Sequence, residues 1–185
     1  MNEKHFVVAT AGHVDHGKSA LIRALTGTDT DRLPEEKKRN ITIELGFAHM
    51  ELANSAEAES ALSISMIDVP GHEDFVRNMI AGVGSIDLAL LVVAADDGWM
   101  PQTEEHLQIL HYLRVPQLLV ALTKSDSNET VDVIHHTKEQ LRDTPYSAAP
   151  IVAVSARTGY GMGQLKRTLG SLLSNAQPQP NIQKP

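Results

Sequence analysis

The sequence predicts an α/β fold: a mostly parallel six-stranded sheet with helices on both faces. Three observations carry that reading. Strand-length apolar runs alternate with helix-length amphipathic stretches along most of the chain. Three of the runs, DLALLVVAA (87–95), QLLVALT (117–123) and PIVAVSA (150–156), are continuously apolar, as strands covered on both faces are. A glycine-rich turn, AGHVDHGKS, separates the first strand from the first helix.

Taken in order, HFVVATA (5–11) is β-branched and bounded by glycine, a buried strand. KSALIRAL (18–25) has apolar residues at helical spacing and stops near Gly27. ITIELGFAHMEL (41–52) and ALSISMIDV (61–69) read as two strands joined by the short acidic loop ANSAEAES, hence antiparallel. EDFVRNMIAGV (73–83) is helical and leads to the strand at 87–95. QTEEHLQILHYL (102–113), VDVIHHTKEQLRD (131–143) and GQLKRTLGSLL (163–173) supply helices between and after the remaining strands. Residues 1–175 read as one domain. The tail AQPQPNIQKP (176–185), with three prolines and few apolar residues, reads as a linker towards further domains.

Composition narrows the partners. Apolar residues make up 42% of the 185, charged residues 21%, and the formal charge is −7. That is ordinary for a soluble domain and carries no basic nucleic-acid footprint. With no cysteine, disulfides and thiolate zinc sites are excluded, which suits a reducing compartment. No apolar run reaches membrane-spanning length and the N-terminus lacks a signal-like apolar core. The expectation is a cytoplasmic protein with no membrane partner.

The turn between strand and helix has the spacing Gly-x-x-x-x-Gly-Lys-Ser, in the context a P-loop requires. Gly12 and Gly17 let the backbone N–H groups of 12–19 (Gly12, His13, Val14, Asp15, His16, Gly17, Lys18, Ser19) converge on phosphate oxygens, and the helix adds its N-terminal dipole. Lys18 supplies a positive charge to the β- and γ-phosphates, and the Ser19 hydroxyl is placed to ligate Mg²⁺. His13 and His16, spaced like metal ligands around Asp15, lack a third protein ligand of the kind zinc needs. They read as loop-packing residues whose side chains point away from the phosphates.

Two further motifs select the nucleotide. DVPGHED (68–74) follows a strand: Asp68 suits a water-mediated Mg²⁺ contact, and the Gly71 N–H suits a γ-phosphate. TKSD (123–126) ends another strand. Asp126 is able to accept hydrogen bonds from the N1 and N2 donors of guanine, which adenine does not present, and Lys124 lies over the base. Ser155 and Ala156, followed by Arg157, end the last strand, where a backbone N–H suits guanine O6.

GHVDHGKS, DVPGHE and TKSD in this order resemble the translational GTPases over nearly the whole chain. DTDRLPEEKKRNITIELGFA (29–48) and VRNMIAGVGSIDLALLVVAADDGWMPQTEEHLQIL (76–110) are most similar to those of the bacterial selenocysteine-specific elongation factors. Elongation factor Tu carries a longer segment between the P-loop and the Ile-Thr motif, and the initiation factor 2 gamma subunits usually carry a cysteine zinc site. A GTP-binding domain of either kind, acting as a nucleotide-dependent scaffold, is the second reading. A P-loop kinase or ATPase is the third.

The resemblance implies a P-loop GTPase fold and hydrolysis of GTP to GDP and phosphate with Mg²⁺. It implies that His72 is the catalytic residue, orienting the attacking water. Thr42 would reach Mg²⁺ and the γ-phosphate, Val14 and Ile41 would form an apolar gate beside His72, and Asp15 matches a residue that supports a monovalent cation in some relatives. The implied partners of a monomeric factor are the ribosome, selenocysteinyl-tRNA and, through further domains, an mRNA hairpin. Two positions depart from the family pattern. Asn40 stands where glycine is usual, a residue also tolerated at positive φ. Thr123 stands where asparagine is usual, with one donor and a shorter reach towards guanine N7 and the P-loop backbone. Trp99 and the pair His135 and His136 read as packing and solvated residues, and EEKKR (35–39) as a solvated charge run.

Overall fold

The structure, a computed structural model, describes residues 4–30, 42, 45–53, 61–70, 86–126 and 130–176. In chain order these form β1 (Lys4–Ala11), α1 (Lys18–Thr26), β2 (Gly46–Ala53), β3 (Ala61–Asp68), β4 (Leu88–Ala94), α2 (Pro101–Tyr112), β5 (Leu118–Thr123), α3 (Thr130–Leu141), β6 (Ile151–Ala153) and α4 (Met162–Asn175). One six-stranded sheet has the order β2-β3-β1-β4-β5-β6. Only the β2–β3 pair is antiparallel. β1 lies between β3 and β4, so the turn that follows it opens at the centre of the sheet's carboxyl edge, where ligands of open α/β sheets bind.

Alternating strand residues feed two cores. Phe6 and Val8 of β1 with Leu88, Leu90 and Val92 of β4 pack under Leu21, Ile22 and Leu25 of α1 and Leu165, Leu169 and Leu173 of α4. Ala9, Ala11, Ala89, Leu91 and Val93 face the other way, under Leu107 and Leu110 of α2 and Leu141 of α3. Helices therefore cover both faces, which is why the central strands are apolar throughout. α1 ends where Gly27 turns left-handed and its N–H reaches the Arg23 carbonyl. α2 begins at Pro101, whose missing N–H costs nothing in a helix's first turn.

Two expected strands are shorter than their apolar runs. Of the run from 41, β2 takes up Gly46 onward, with Gly46 opposite Asp68; residues 41, 43 and 44 lie outside the described residues, and the Thr42 hydroxyl lies 2.7 Å from that of Ser19. The run 150–156 pairs only over Ile151–Ala153. Ser155 starts a turn instead: its N–H donates to Tyr160 and its carbonyl accepts from Gly159. The expected helix 73–83, the charge run 35–39 and the tail from 177 lie outside the described residues. His135 and His136 are exposed on α3, and Trp99 packs against the core with its Nε1–H on Glu104. Among the described residues no helix is long and apolar enough to cross a membrane.

Candidate nucleotide-binding site

The turn after β1 is fastened from outside. Gly12 has φ 130°, and a Cβ there would lie 2.2 Å from the Val92 carbonyl oxygen, so only glycine lets the loop rest on β4. The Gly12 N–H donates to His106 Nδ1 at 2.8 Å, and the Val14 N–H donates to Gln102 Oε1 at 3.1 Å. Both acceptors stand on α2. Burial pushes the His106 pKa down to about 3, with Lys18 and His13 adding to it. The ring is uncharged at neutral pH, and accepting at Nδ1 fixes its proton on Nε2.

Inside the loop, Lys18 is buried and donates to the Gly12 and His13 carbonyls at 3.1 and 2.8 Å. Burial lowers its pKa to about 8 against the pull of Asp68 and Asp15. His16 is fully buried with Nδ1 3.3 Å from the Val92 carbonyl, and burial pushes its pKa down to about 4. Its Nε2 lies 3.9 Å from Asp97, but an uncharged ring makes no ion pair there. The His13 ring meets His16 edge to face at 5.1 Å. The two histidines thus pack against each other beneath the loop.

Beside the loop stand three oxygen-bearing groups. The Ser19 and Thr42 hydroxyls lie 2.7 Å apart. Asp68, at the end of β3, is fully buried. Its Oδ1 accepts from the Thr10 hydroxyl at 3.1 Å and its Oδ2 from the Thr30 hydroxyl at 2.6 Å. The set is all oxygen, the donor chemistry that a hard divalent cation takes.

The third part is a cleft of about 610 Å³ past the ends of β5 and β6. Lys124, Asp126, Ser155, Ala156 and Arg157 line it, together with Thr123, Asp96 and the start of α1 at Gly17 and Ala20. Lys124 pairs with Asp96 at 2.9 Å and Asp97 at 3.6 Å. Partial burial opposes its charge, but the two carboxylates outweigh it and raise its pKa. Asp126 carries the Arg157 guanidinium on Oδ2. Its own backbone N–H, Arg157 and the Ser155 hydroxyl hold its carboxyl below the usual range. The Thr123 hydroxyl donates to the His16 carbonyl at 2.6 Å, so the shorter side chain does reach the P-loop backbone.

The structure therefore gathers Gly12 to Ser19, Thr42, Asp68, Thr123, Lys124, Asp126 and Ser155 to Arg157 along one edge of the sheet. The Ser155 N–H is spent on Tyr160, so an N–H for a base oxygen falls to Ala156. Gly71, His72, Asn40 and Ile41 lie outside the described residues. Sequence reasoning missed Gln102, His106, Thr30 and the Asp96–Asp97 pair. His106 sits in an ordinary amphipathic helix, and nothing in its spacing signals a loop contact.

The sequence pattern of the family described as "Elongation factor Tu GTP binding domain" matches residues 3–175. The chain is 49% identical over 175 residues to the selenocysteine-specific elongation factor of Desulfomicrobium baculatum, covering 93% of this chain and 27% of that protein. Its fold superposes on the crystal structure of a bacterial selenocysteine-specific elongation factor, EF-Sec, with a TM-score of 0.81 at 42% identity, over 94% of this chain and 29% of the other. It also superposes on the elongation factor SelB of Methanococcus maripaludis in complex with the GTP analogue GppNHp. That match has a TM-score of 0.79 at 33% identity, over 100% of this chain and 37% of that one. The chain thus spans about a quarter to a third of the length of these relatives.

Proposed function

Because this chain belongs to the family of elongation factor Tu GTP-binding domains, we propose that residues 1–175 are the GTP-hydrolysing domain of a selenocysteine-specific elongation factor. One observation supports it above the rest. The glycine-rich loop, the Ser19–Thr42–Asp68 oxygen cluster and the cleft that holds Asp126 lie along one sheet edge, with the Thr123–His16 hydrogen bond tying the loop to the end of β5.

In this reading the chain works by positioning and electrostatics. The N–H groups of the loop and the Lys18 ammonium hold the β- and γ-phosphates. Asp126 accepts from guanine N1 and N2, Lys124 covers the base, and the Ala156 N–H meets guanine O6. Ser19, Thr42 and Asp68 would hold Mg²⁺, which would neutralise charge on the phosphate oxygens. Asp15 would support a monovalent cation. His72 orients a water in line with the γ-phosphorus. The water oxygen bonds to phosphorus as the bond to the β–γ bridging oxygen breaks, and GDP and phosphate leave. Gly71 senses the γ-phosphate, and its loss on hydrolysis releases the segment that carries Thr42. The cycle gates delivery of selenocysteinyl-tRNA to the ribosome in the cytoplasm. The mRNA hairpin is read by parts of the factor beyond these residues.

Two measurements test it. The chain should bind GTP and GDP and reject ATP, and Asp126→Asn should exchange guanine for xanthine preference at a cost of about 2–4 kcal/mol in GTP binding. The whole factor should hydrolyse GTP on ribosomes in response to selenocysteinyl-tRNA and not to other aminoacyl-tRNAs. ATP binding overturns the nucleotide assignment, and indifference to the tRNA overturns the selenocysteine assignment alone.

A further inference from the structure

We propose that Thr30 is a positioning residue for the metal site: its hydroxyl fixes the rotation of Asp68. The inference rests on the reading above, in which Asp68 faces Mg²⁺.

Thr30 lies four residues beyond the end of α1. It is buried, and its hydroxyl donates to Asp68 Oδ2 at 2.6 Å. An O–H to carboxylate bond of this length belongs to the strong, charge-assisted class. The other oxygen, Oδ1, accepts from Thr10 at 3.1 Å, and Thr10 itself is pinned because its oxygen accepts the Val69 N–H at 3.1 Å. Each carboxylate oxygen is thus held by one hydroxyl. A carboxylate oxygen has two lone-pair sites, so each retains one for a water carried by a cation beside Ser19 and Thr42.

The packing shows that this arrangement is built in. Gly46, the first residue of β2, pairs opposite Asp68. A Cβ on Gly46 would lie 2.5 Å from Thr30 Cβ and 3.1 Å from Asp68 Cβ. The Thr30 side chain fills the room a larger residue at 46 would take. Thr30 and Gly46 therefore both pack on Asp68. One hydroxyl thus holds the metal-facing carboxylate, in a space that Gly46 leaves open.

The test separates hydroxyl from packing and uses the 185-residue chain. GDP release is timed across free Mg²⁺ concentrations and in EDTA, for the parent, Thr30→Val, Thr30→Ser and Asp68→Asn. Thr30→Val keeps the bulk against Gly46 and loses the donor. It should raise the Mg²⁺ concentration for half-maximal GDP retention about tenfold, the scale of lost ligand-orienting bonds, while release in EDTA stays at the parent rate. Thr30→Ser keeps the donor and should hold the parent midpoint, even where its melting temperature falls. A parent midpoint in Thr30→Val, or equal acceleration with and without Mg²⁺, overturns the proposal and leaves Thr30 as packing. A parent midpoint in Asp68→Asn instead overturns the underlying assignment of Asp68. Should Thr30→Val not fold, Gly46→Ala reads the same midpoint, because its Cβ displaces Thr30 and leaves the hydroxyl intact; an unchanged midpoint there also counts against the proposal.

Discussion

The Thr123 hydroxyl donates to the His16 carbonyl at 2.6 Å, across 107 residues of sequence. It ties the end of β5, which carries the residues proposed to read the base, to the loop proposed to hold the phosphates. Thr123→Val keeps the shape and leaves a buried carbonyl without that donor, which should cost about 1–3 kcal/mol of stability. Both GDP and GTP should weaken by similar factors, because the bond lies far from the γ-phosphate. Thr123→Asn should restore the loop contact and add at most one bond to guanine N7, about 0.5–1.5 kcal/mol. Titration of both nucleotides into both variants checks this, and a loss confined to GTP would contradict it.

The second tie to the loop comes from α2. His106→Ala removes the acceptor for the buried Gly12 N–H and should speed release of GDP and GTP alike. A deficit of about 1–3 kcal/mol corresponds to roughly 5- to 150-fold in rate. His106→Asn, whose Oδ1 stands near the position of Nδ1, should recover most of it. Stopped-flow release of a fluorescent nucleotide gives both numbers, and equal rates in all three proteins would mean that the loop holds its shape unaided.

Acid should unfold this protein through two uncharged rings. In the unfolded chain a histidine binds its proton near pH 6.5. In the fold, burial delays that to about 4 for His16 and about 3 for His106. Between those values the unfolded chain holds protons that the folded chain refuses, so stability rises with pH there. The contribution is complete above pH 6.5 and is lost as the pH falls towards 4 and 3. Each ring adds a slope of about 1.4 kcal/mol per pH unit in that window. Urea unfolding at pH 7, 6 and 5 measures the slope, and His106→Asn should roughly halve it. A slope unchanged by His106→Asn would mean that His106 titrates normally.

His72 is proposed to act only in the transition state. His72→Ala should therefore leave GTP affinity within about a factor of three while removing ribosome-stimulated hydrolysis by the whole factor. The chain without its activating partner should turn over slowly. Rapid turnover that His72→Ala does not alter would assign the chemistry elsewhere.

Most of the architecture was legible because burial on both faces leaves continuous apolar runs such as 87–95, and β4 occupies Leu88–Ala94 of it. The phosphate loop was legible because its glycines, lysine and serine are adjacent in sequence. Residues that act on that loop from elsewhere were not. Gln102 and His106 look like any polar and half-polar positions of an amphipathic helix, and their meaning comes from α2 crossing behind Gly12. Thr30 is one hydroxyl in a polar stretch, and its partner Asp68 is 38 residues away. The last strand's end was overrun at Ser155 and Ala156, where a turn contact to Tyr160 beats an apolar pattern. Thr123 was underestimated because reach was judged from the side chain alone, whereas β5 brings its backbone to the loop.

In the proposed pocket, Arg157 resting on Asp126 would make base binding an exchange of partners. The guanidinium donates to the carboxylate from Nη2, and the N1–H and N2–H edge of guanine would offer it two donors. A guanine entering the cleft swaps one set of bonds for another, so the carboxylate need not be stripped bare on the way. Adenine presents a bare acceptor at N1. In the same pose it would displace the arginine and set an acceptor against the negative charge. The arginine would thus set a toll that guanine refunds more fully, and discrimination would begin before the base is seated.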